Sequence, residues 1–360
     1  MSGAENQDPW KLLLLQSTAA TAVARDATPT PEGTPESDEG EASGTRNTID
    51  PADLEYIQNA MAAVTAGQAQ ERFNLVDQLI AYKDKCVDET LSGDDMYAIE
   101  TLADKIDEYL AAGNFSDQFL DANVVAALEN LATKAEHPEI QLAYVQMISS
   151  LAQNRPEFQA VVYNTQLFEN LIRMVTLGQP TAAHVMPATF TAISSIASSY
   201  LPGFERFIAL NAVKTIRMRV NSNLDYGLSA KAARCVQRIF FSNFAQSDER
   251  SKYPNKANVD EMIKLMCTSL CELRRKYELM QADDNPDFRT IVLLRDVCCD
   301  LKRQISNLRP EEMPREAMES LENFYDKYHP VDKDQSTLAV FRQFQLDVPR
   351  SERKPTTAGK

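Results

Sequence analysis

Cys267 and Cys271 stand four positions apart, the spacing at which two thiolates on one helix face can hold a metal. No second pair at zinc-site spacing accompanies them, so they read as packed core thiols and no metal is expected. Cys298 and Cys299 are adjacent and point to different helix faces, which leaves at most one for the core. With Cys86 and Cys235 they make six cysteines without disulfide-framework spacing, the usage expected of reduced, buried thiols. There are three histidines. His137 and His329 each precede a proline and read as helix punctuation, and His184 has no acidic partner near it in the sequence. The chain contains no His-Glu-x-x-His, no Gly-x-Ser-x-Gly and no phosphate-binding Gly-Lys-Thr/Ser loop. Nothing assembles a nucleophile, a base and an orienting group, so neither catalytic residues nor a cofactor are expected, and the chain reads as a non-enzyme.

The elements that would carry these residues repeat. Met147-Ile-Ser-Ser-Leu-Ala-Gln153 recurs as Ala192-Ile-Ser-Ser-Ile-Ala-Ser198, a shift of 45 residues. Each copy is followed by a Pro-x-Phe turn, Pro156-Glu-Phe158 and Pro202-Gly-Phe204, and then by an apolar helix, Leu167–Val175 and Val213–Val220. Self-similarity at 40–47 residues marks armadillo or HEAT units, which stack because none buries its own apolar face alone. Only 11 glycines occur, about half of average usage. Six lie in the body of the chain (Gly67, Gly93, Gly113, Gly178, Gly203, Gly227), each read as lying between helix-like segments. The fold class expected is all-α: a right-handed superhelical armadillo-like solenoid of about four repeats, with helical caps at both ends.

Along the chain the reading places an N-terminal disordered segment at 1–49, a helical cap at 50–93, repeats at 94–280, a C-terminal cap at 281–347 and a disordered tail at 348–360. Residues 25–49 hold Pro29, Pro31 and Pro35 and six acidic residues, with almost no large apolar side chain to offset the entropy of ordering. Asp50-Pro51 opens a helix to about Gly67, and a second is expected from Ala69 to about Leu91. Repeat-region helices are expected through Val124–Leu131, from His137-Pro138, from near Pro180 or Pro187, from Gly227 and over Val259–Leu279. Further helices are expected at 287–308, 313–328 and 336–345.

The net charge of −15 argues against nucleic acid and anionic membranes, which need basic patches, and no apolar run approaches the ~18 residues of a membrane span. Trp10-Lys-Leu-Leu-Leu-Leu15 followed by Ala22-Val23-Ala24 has the outline of a signal peptide. Glu5 and Asp8 ahead of it, and an apolar core cut to four leucines by Gln16, point instead to a cytoplasmic protein. A monomer is expected. If the final helices of the units line a groove, their polar side chains are the partner surface. On that reading the candidates are Glu129 and Asn130, then Glu169, Asn170 and Arg173, then Lys214, Arg217 and Arg219, joined by Lys231 and Arg234. The basic members would meet an acidic protein face, where charge pairing contributes orientation and on-rate.

The order of parts resembles the armadillo-type nucleotide-exchange factors of DnaK-type (heat-shock 70 kDa) chaperones. Trp10-Lys-Leu-Leu-Leu-Leu-Gln-Ser-Thr-Ala is similar to the leucine-rich N-terminal segment of the cytosolic members. Leu54-Glu-Tyr-Ile-Gln-Asn-Ala-Met-Ala-Ala-Val64 resembles the family's first helix. Leu102-Ala-Asp with Ala112 and Phe115 resembles the opening of the armadillo core, and Ser149-Ser-Leu-Ala-Gln-Asn154 and Ala192-Ile-Ser194 resemble the central repeats. The resemblance covers about residues 10–24 and 50–245. It implies binding to the chaperone's ATPase domain, with Ala112 and Lys231 as partner contacts, and a client-site-mimicking segment at Trp10, Leu12, Leu13, Leu14 and Leu15. The chain departs from the family at Glu108-Tyr-Leu-Ala-Ala112, where only the alanine of an acidic turn survives. It departs again at Gln141 and Ala188, where relatives place basic residues. A generic armadillo adaptor is the alternative; an endoplasmic-reticulum exchange factor would require the N-terminus to be a signal.

Overall fold

Prolines open four of the repeat helices, at Pro138, Pro156, Pro187 and Pro202, where a fixed φ suits the first turn and the missing N–H costs nothing. Others begin on side-chain caps: Ser92 accepts from the Asp95 N–H at 3.1 Å, Asp121 from Asn123 at 2.7 Å, Asp225 from Leu228 at 2.8 Å and Asp287 from Arg289 at 3.0 Å. In a computed structural model, which describes residues 51–87, 91–112 and 117–328, these starts produce fourteen α-helices and, among the described residues, no strand. They are α1 (Pro51–Tyr82), α2 (Gly93–Ala111), α3 (Ala122–Thr133), α4 (Pro138–Ala152), α5 (Pro156–Tyr163), α6 (Leu167–Met174) and α7 (Met186–Ala197). After these come α8 (Leu201–Ala209), α9 (Ala212–Asn221), α10 (Tyr226–Phe244), α11 (Ser247–Lys252), α12 (Lys256–Gln281), α13 (Phe288–Ser306) and α14 (Arg315–Tyr328). Short 3-10 turns sit at Lys85–Val87, Asp117–Leu120 and Pro310–Glu312.

The chain divides into two compact units at Asn74 and Leu75. Of the first, the described part is helical from Pro51 onward. The sequence reading ended a helix near Gly67, but α1 runs through it, because one glycine inside a helix costs only about 1 kcal/mol and does not force a break. The second unit is an armadillo-like solenoid. Four units of three segments follow one another, each a short helix or turn, a middle helix and a final helix: Asp117–Leu120 with α3 and α4, then α5–α7, α8–α10 and α11–α13. Final helices pack in series, α4 on α7, α7 on α10 and α10 on α13, with α2 covering α4; among middle helices α3 packs on α6 and α9 on α12, and α14 covers α12. One continuous apolar core runs from Leu75 to Leu321. Helices expected at 287–308 and 313–328 are α13 and α14; the one expected at 336–345 lies outside the described residues, as do Phe115 and the client-mimicking segment.

The two written-out repeats become equivalent places in this core. Met147, Ile148 and Leu151 of α4 and Ala192, Ile193 and Ile196 of α7 are fully buried, and Phe158 and Phe204 of the Pro-x-Phe turns are buried one layer apart. Ser149 and Ser195, one position out of that 45-residue register, meet at 3.1 Å. The turns after α4 and α7 each take a left-handed residue, Asn154 (φ 57°) and Ser199 (φ 54°). Ser199 is strained for a residue with a Cβ. Ser242 Oγ accepts from the Ser199 N–H at 3.2 Å, and Asn243 Oδ1 accepts from the Tyr200 N–H at 3.1 Å. Gly203 sits where α8 crosses α7 so closely that a Cβ would lie 2.8 Å from the Ile196 carbonyl oxygen.

Candidate functional site

Two sets of polar residues must be separated: those tying layers together and those left facing outward. Helix C-termini expose four unpaired carbonyls and a partial negative charge, so each buried end needs donors, and cations suit it best. Arg219 serves this end of α6, donating through Nε to the Val175 carbonyl and through Nη2 to the Thr176 carbonyl at 2.8 Å. Lys276 of α12 serves the end of α9, donating to the carbonyls of Val220 and Ser222 (2.5 Å) and to Ser229 Oγ at 2.8 Å. Gln159 Nε2 donates to the carbonyls of Ser195 (2.7 Å) and Ser198 (2.9 Å), and Asn243 Nδ2 to that of Ala197 at 2.8 Å, closing the end of α7. Arg219 is therefore corrected: expected on a partner surface, it is buried and spent on the chain's own backbone.

The other candidates on α3, α6 and α9 were expected on final helices. In the order of segments found here these helices are the middle members, and α4, α7, α10 and α13 are the final ones. Several bridge layers. Glu129 accepts from Asn170 Nδ2 at 2.9 Å, Asn130 Nδ2 donates to the Lys83 carbonyl at 3.3 Å, and Glu169 lies 3.5 Å from Arg173 and 3.9 Å from Arg206. Arg217 pairs with Glu261 at 3.1 Å, whereas Lys214 is exposed and its ammonium has no partner among the described residues. Asn170 and Arg173 line a cleft of about 410 Å³ with Lys134, Gln141 and Pro180. The eleven-residue loop between α6 and α7 forms one wall. His184 of that loop, without an acidic partner near it in the sequence, meets Glu139 of α4, 45 residues away, at 2.8 Å.

The final-helix row differs. On α10, Lys231, Arg234 and Arg238 follow at i, i+3 and i+7 and so share one helix face. All three are half-exposed, and no carboxylate pairs with them among the described residues. Phe241, three positions further on, is 55% exposed. The neighbouring α7 presents only half-buried Pro187, Ala188 and Thr191 between its buried positions. Lys231 and Arg234 were expected here; Arg238 and Phe241 were missed, although the same spacing reaches them. Ala112 is the exposed C-cap of α2, its N–H donating to the Glu108 carbonyl at 3.1 Å. It stands two intervening layers, α4 and α7, away from α10.

Burial pushes the thiols of Cys86 up to about 11 and of Cys235 and Cys271 up to about 12, which keeps them protonated. Cys298 is buried and Cys299 exposed, so one of the adjacent pair serves the core. No group of three His, Cys, Asp or Glu side chains placed to hold a metal occurs among the described residues. Nor, among them, is any helix long and apolar enough to cross a membrane.

No family model matches the sequence, and no curated protein matches it. Solved structures similar to the chain include an engineered protein from the Northeast Structural Genomics Consortium, with a TM-score of 0.46 and 16% identity over 74% of this chain and 93% of that one. A designed armadillo repeat protein gives a TM-score of 0.45 and 13% identity over 74% of this chain and 98% of that one.

Proposed function

We propose that this chain is a protein-binding scaffold whose final-helix row docks an acidic face of a partner, and that the partner is the ATPase domain of a DnaK-type chaperone. The observation that carries the binding surface is the unpaired stripe of Lys231, Arg234 and Arg238 on α10, in a chain with a net charge of −15. Folding has matched most other cations of the second unit with carboxylates or carbonyls; these three remain for a partner. The chaperone reading adds the resemblance of residues 10–24 and 50–245 to the armadillo-type exchange factors, in which Lys231 is the carried-over contact.

Such a factor needs no chemistry. It accelerates ADP release if it binds the open arrangement of the ATPase lobes more tightly than the closed one, and the shift cannot exceed that difference in affinity. Stopped-flow release of labelled ADP tests this. The wild-type chain should accelerate release at micromolar concentration, and Lys231→Glu should weaken the effect and the complex without changing thermal stability. Acceleration that Lys231→Glu leaves intact would remove the stripe from the site.

A second reading, an adaptor without effect on nucleotide, is favoured by one observation. Gln141, where relatives place a basic residue, donates to the Ala135 carbonyl at 2.7 Å and serves the fold. Chaperone binding without faster ADP release would select that reading.

A further inference from the structure

The α9 helix carries an apolar surface that its counterpart one unit earlier does not. Ile172-Arg173-Met174 of α6 recurs as Ile216-Arg217-Met218 of α9, a shift of 44 residues. Met174 is 7% exposed, whereas Met218 is 44% exposed. Asn170 of α6 is tied to Glu129, whereas its counterpart Lys214 has no side-chain partner among the described residues. With Leu177 from the loop after α6 and Leu224 from the turn after α9, Met218 lines a shallow depression of about 700 Å³. Leu224 is 88% exposed. Single exposed leucines are common on protein surfaces, but three apolar side chains meeting in one depression are not explained by chance exposure. Its remaining lining is Lys214, Arg217, Asn221 and Ser222, two cations and no carboxylate.

We propose that this depression docks a short, acidic, amphipathic segment of a partner protein. Its apolar side chains would cover Leu177, Met218 and Leu224, and its carboxylates would meet Lys214 and Arg217. An apolar floor beside cations is the groove-and-anchor arrangement by which folded domains take such segments. Arg217 already shares Glu261 with Lys264, so Lys214 offers the free charge. A polyanion without apolar groups would leave the floor uncovered, which favours a peptide over nucleic acid. The surface lies on α9, the turn after it and the loop after α6, on residues other than those of the α10 stripe, and does not depend on the chaperone reading.

The test pans a phage-displayed random peptide library on the full chain and measures the selected peptides, fluorescently labelled, by anisotropy. The selected pool should be rich in Asp or Glu beside Leu, Phe or Trp. Leu224→Asp and Lys214→Glu should each weaken binding about tenfold, added salt should weaken it further, and Lys231→Glu should leave it unchanged. Leu224 has almost no packing to lose, and a circular dichroism melt checks that the variant is folded. A basic or uncharged pool, peptides that bind Leu224→Asp as tightly as wild type, or peptides lost on Lys231→Glu would overturn the proposal. So would concentration-dependent self-association removed by Leu224→Asp, since a second copy would then be the occupant.

Discussion

Replacing Lys276 with methionine keeps the length of the side chain and removes its charge. In the native fold the ammonium is fully buried, donating to the carbonyls of Val220 and Ser222 and to Ser229 Oγ. Burial pulls its pKa from 10.5 down to about 8, against the opposing pull of the Glu272 carboxylate at 3.8 Å. Two effects then compete at neutral pH. Methionine leaves the Val220 carbonyl at the end of α9 without its donor, at about 1–3 kcal/mol, while the Ser222 carbonyl keeps Ser229 Oγ at 3.3 Å. It also escapes the cost of holding a charge there, about 3 kcal/mol for a displacement of this size. The variant should therefore lie within about 2 kcal/mol of wild type near pH 7, the sign resting on how far α9 relaxes. The pH dependence is the sharper observable. Between about 8 and 10.5 the unfolded chain holds a proton that the folded chain has released, so wild-type stability rises with pH through that window. Below it both states are protonated and Lys276 contributes no slope. Urea denaturation of both proteins from pH 7 to 10 isolates the residue, because all other titrations cancel in the difference. Wild type should gain up to about 3 kcal/mol on the variant. Parallel stability curves would refute the view that a desolvated ammonium closes this helix end.

Gly203→Ala should lower the melting temperature by several degrees, because the new Cβ meets the Ile196 carbonyl oxygen at 2.8 Å and the Ala197 Cα at 3.3 Å, both helix backbone that yields little; overpacking of this kind costs about 1–3 kcal/mol. An unchanged melt would mean that α8 shifts freely on α7. Arg219→Ala should destabilise by about 1–3 kcal/mol, since it strips the donor from the Val175 carbonyl ending α6 and leaves that of Thr176 only the Gln179 N–H, while Arg217→Ala two positions away should cost under about 0.5 kcal/mol as an exposed pair. Chemical denaturation compares the two, and equal losses would contradict the burial of Arg219.

Much of the architecture is legible in the chain. The recurrence of Met147–Gln153 at Ala192–Ser198, the prolines opening helices and the apolar spacing of each segment identify the repeats, and the structure places the two copies in contact through Ser149 and Ser195. The phase of the units was less legible, because a three-segment cycle reads equally well from any of its segments. Among the surface candidates, one signal was present and unused: Arg217 and Arg219 lie about 200° apart on a helix and cannot both face one partner. The same periodicity applied forward from Lys231 and Arg234 reaches Arg238 and Phe241. Gly67 failed as a boundary because a local preference of about 1 kcal/mol is smaller than what a long helix gains by continuing.

Helix, turn and core face were determined by the sequence alone, since each rests on residues within one or two turns of one another. Only the tertiary structure decided which polar side chains serve the fold and which are left unpaired at the surface. The carbonyls that Arg219 and Lys276 satisfy lie 44 and 56 residues away, and the acid that meets His184 lies 45 residues away. No local pattern encodes such pairings; they arise when one unit stacks on the next, and Lys231, Arg234 and Arg238 are left outward because no carboxylate of a neighbouring layer reaches them.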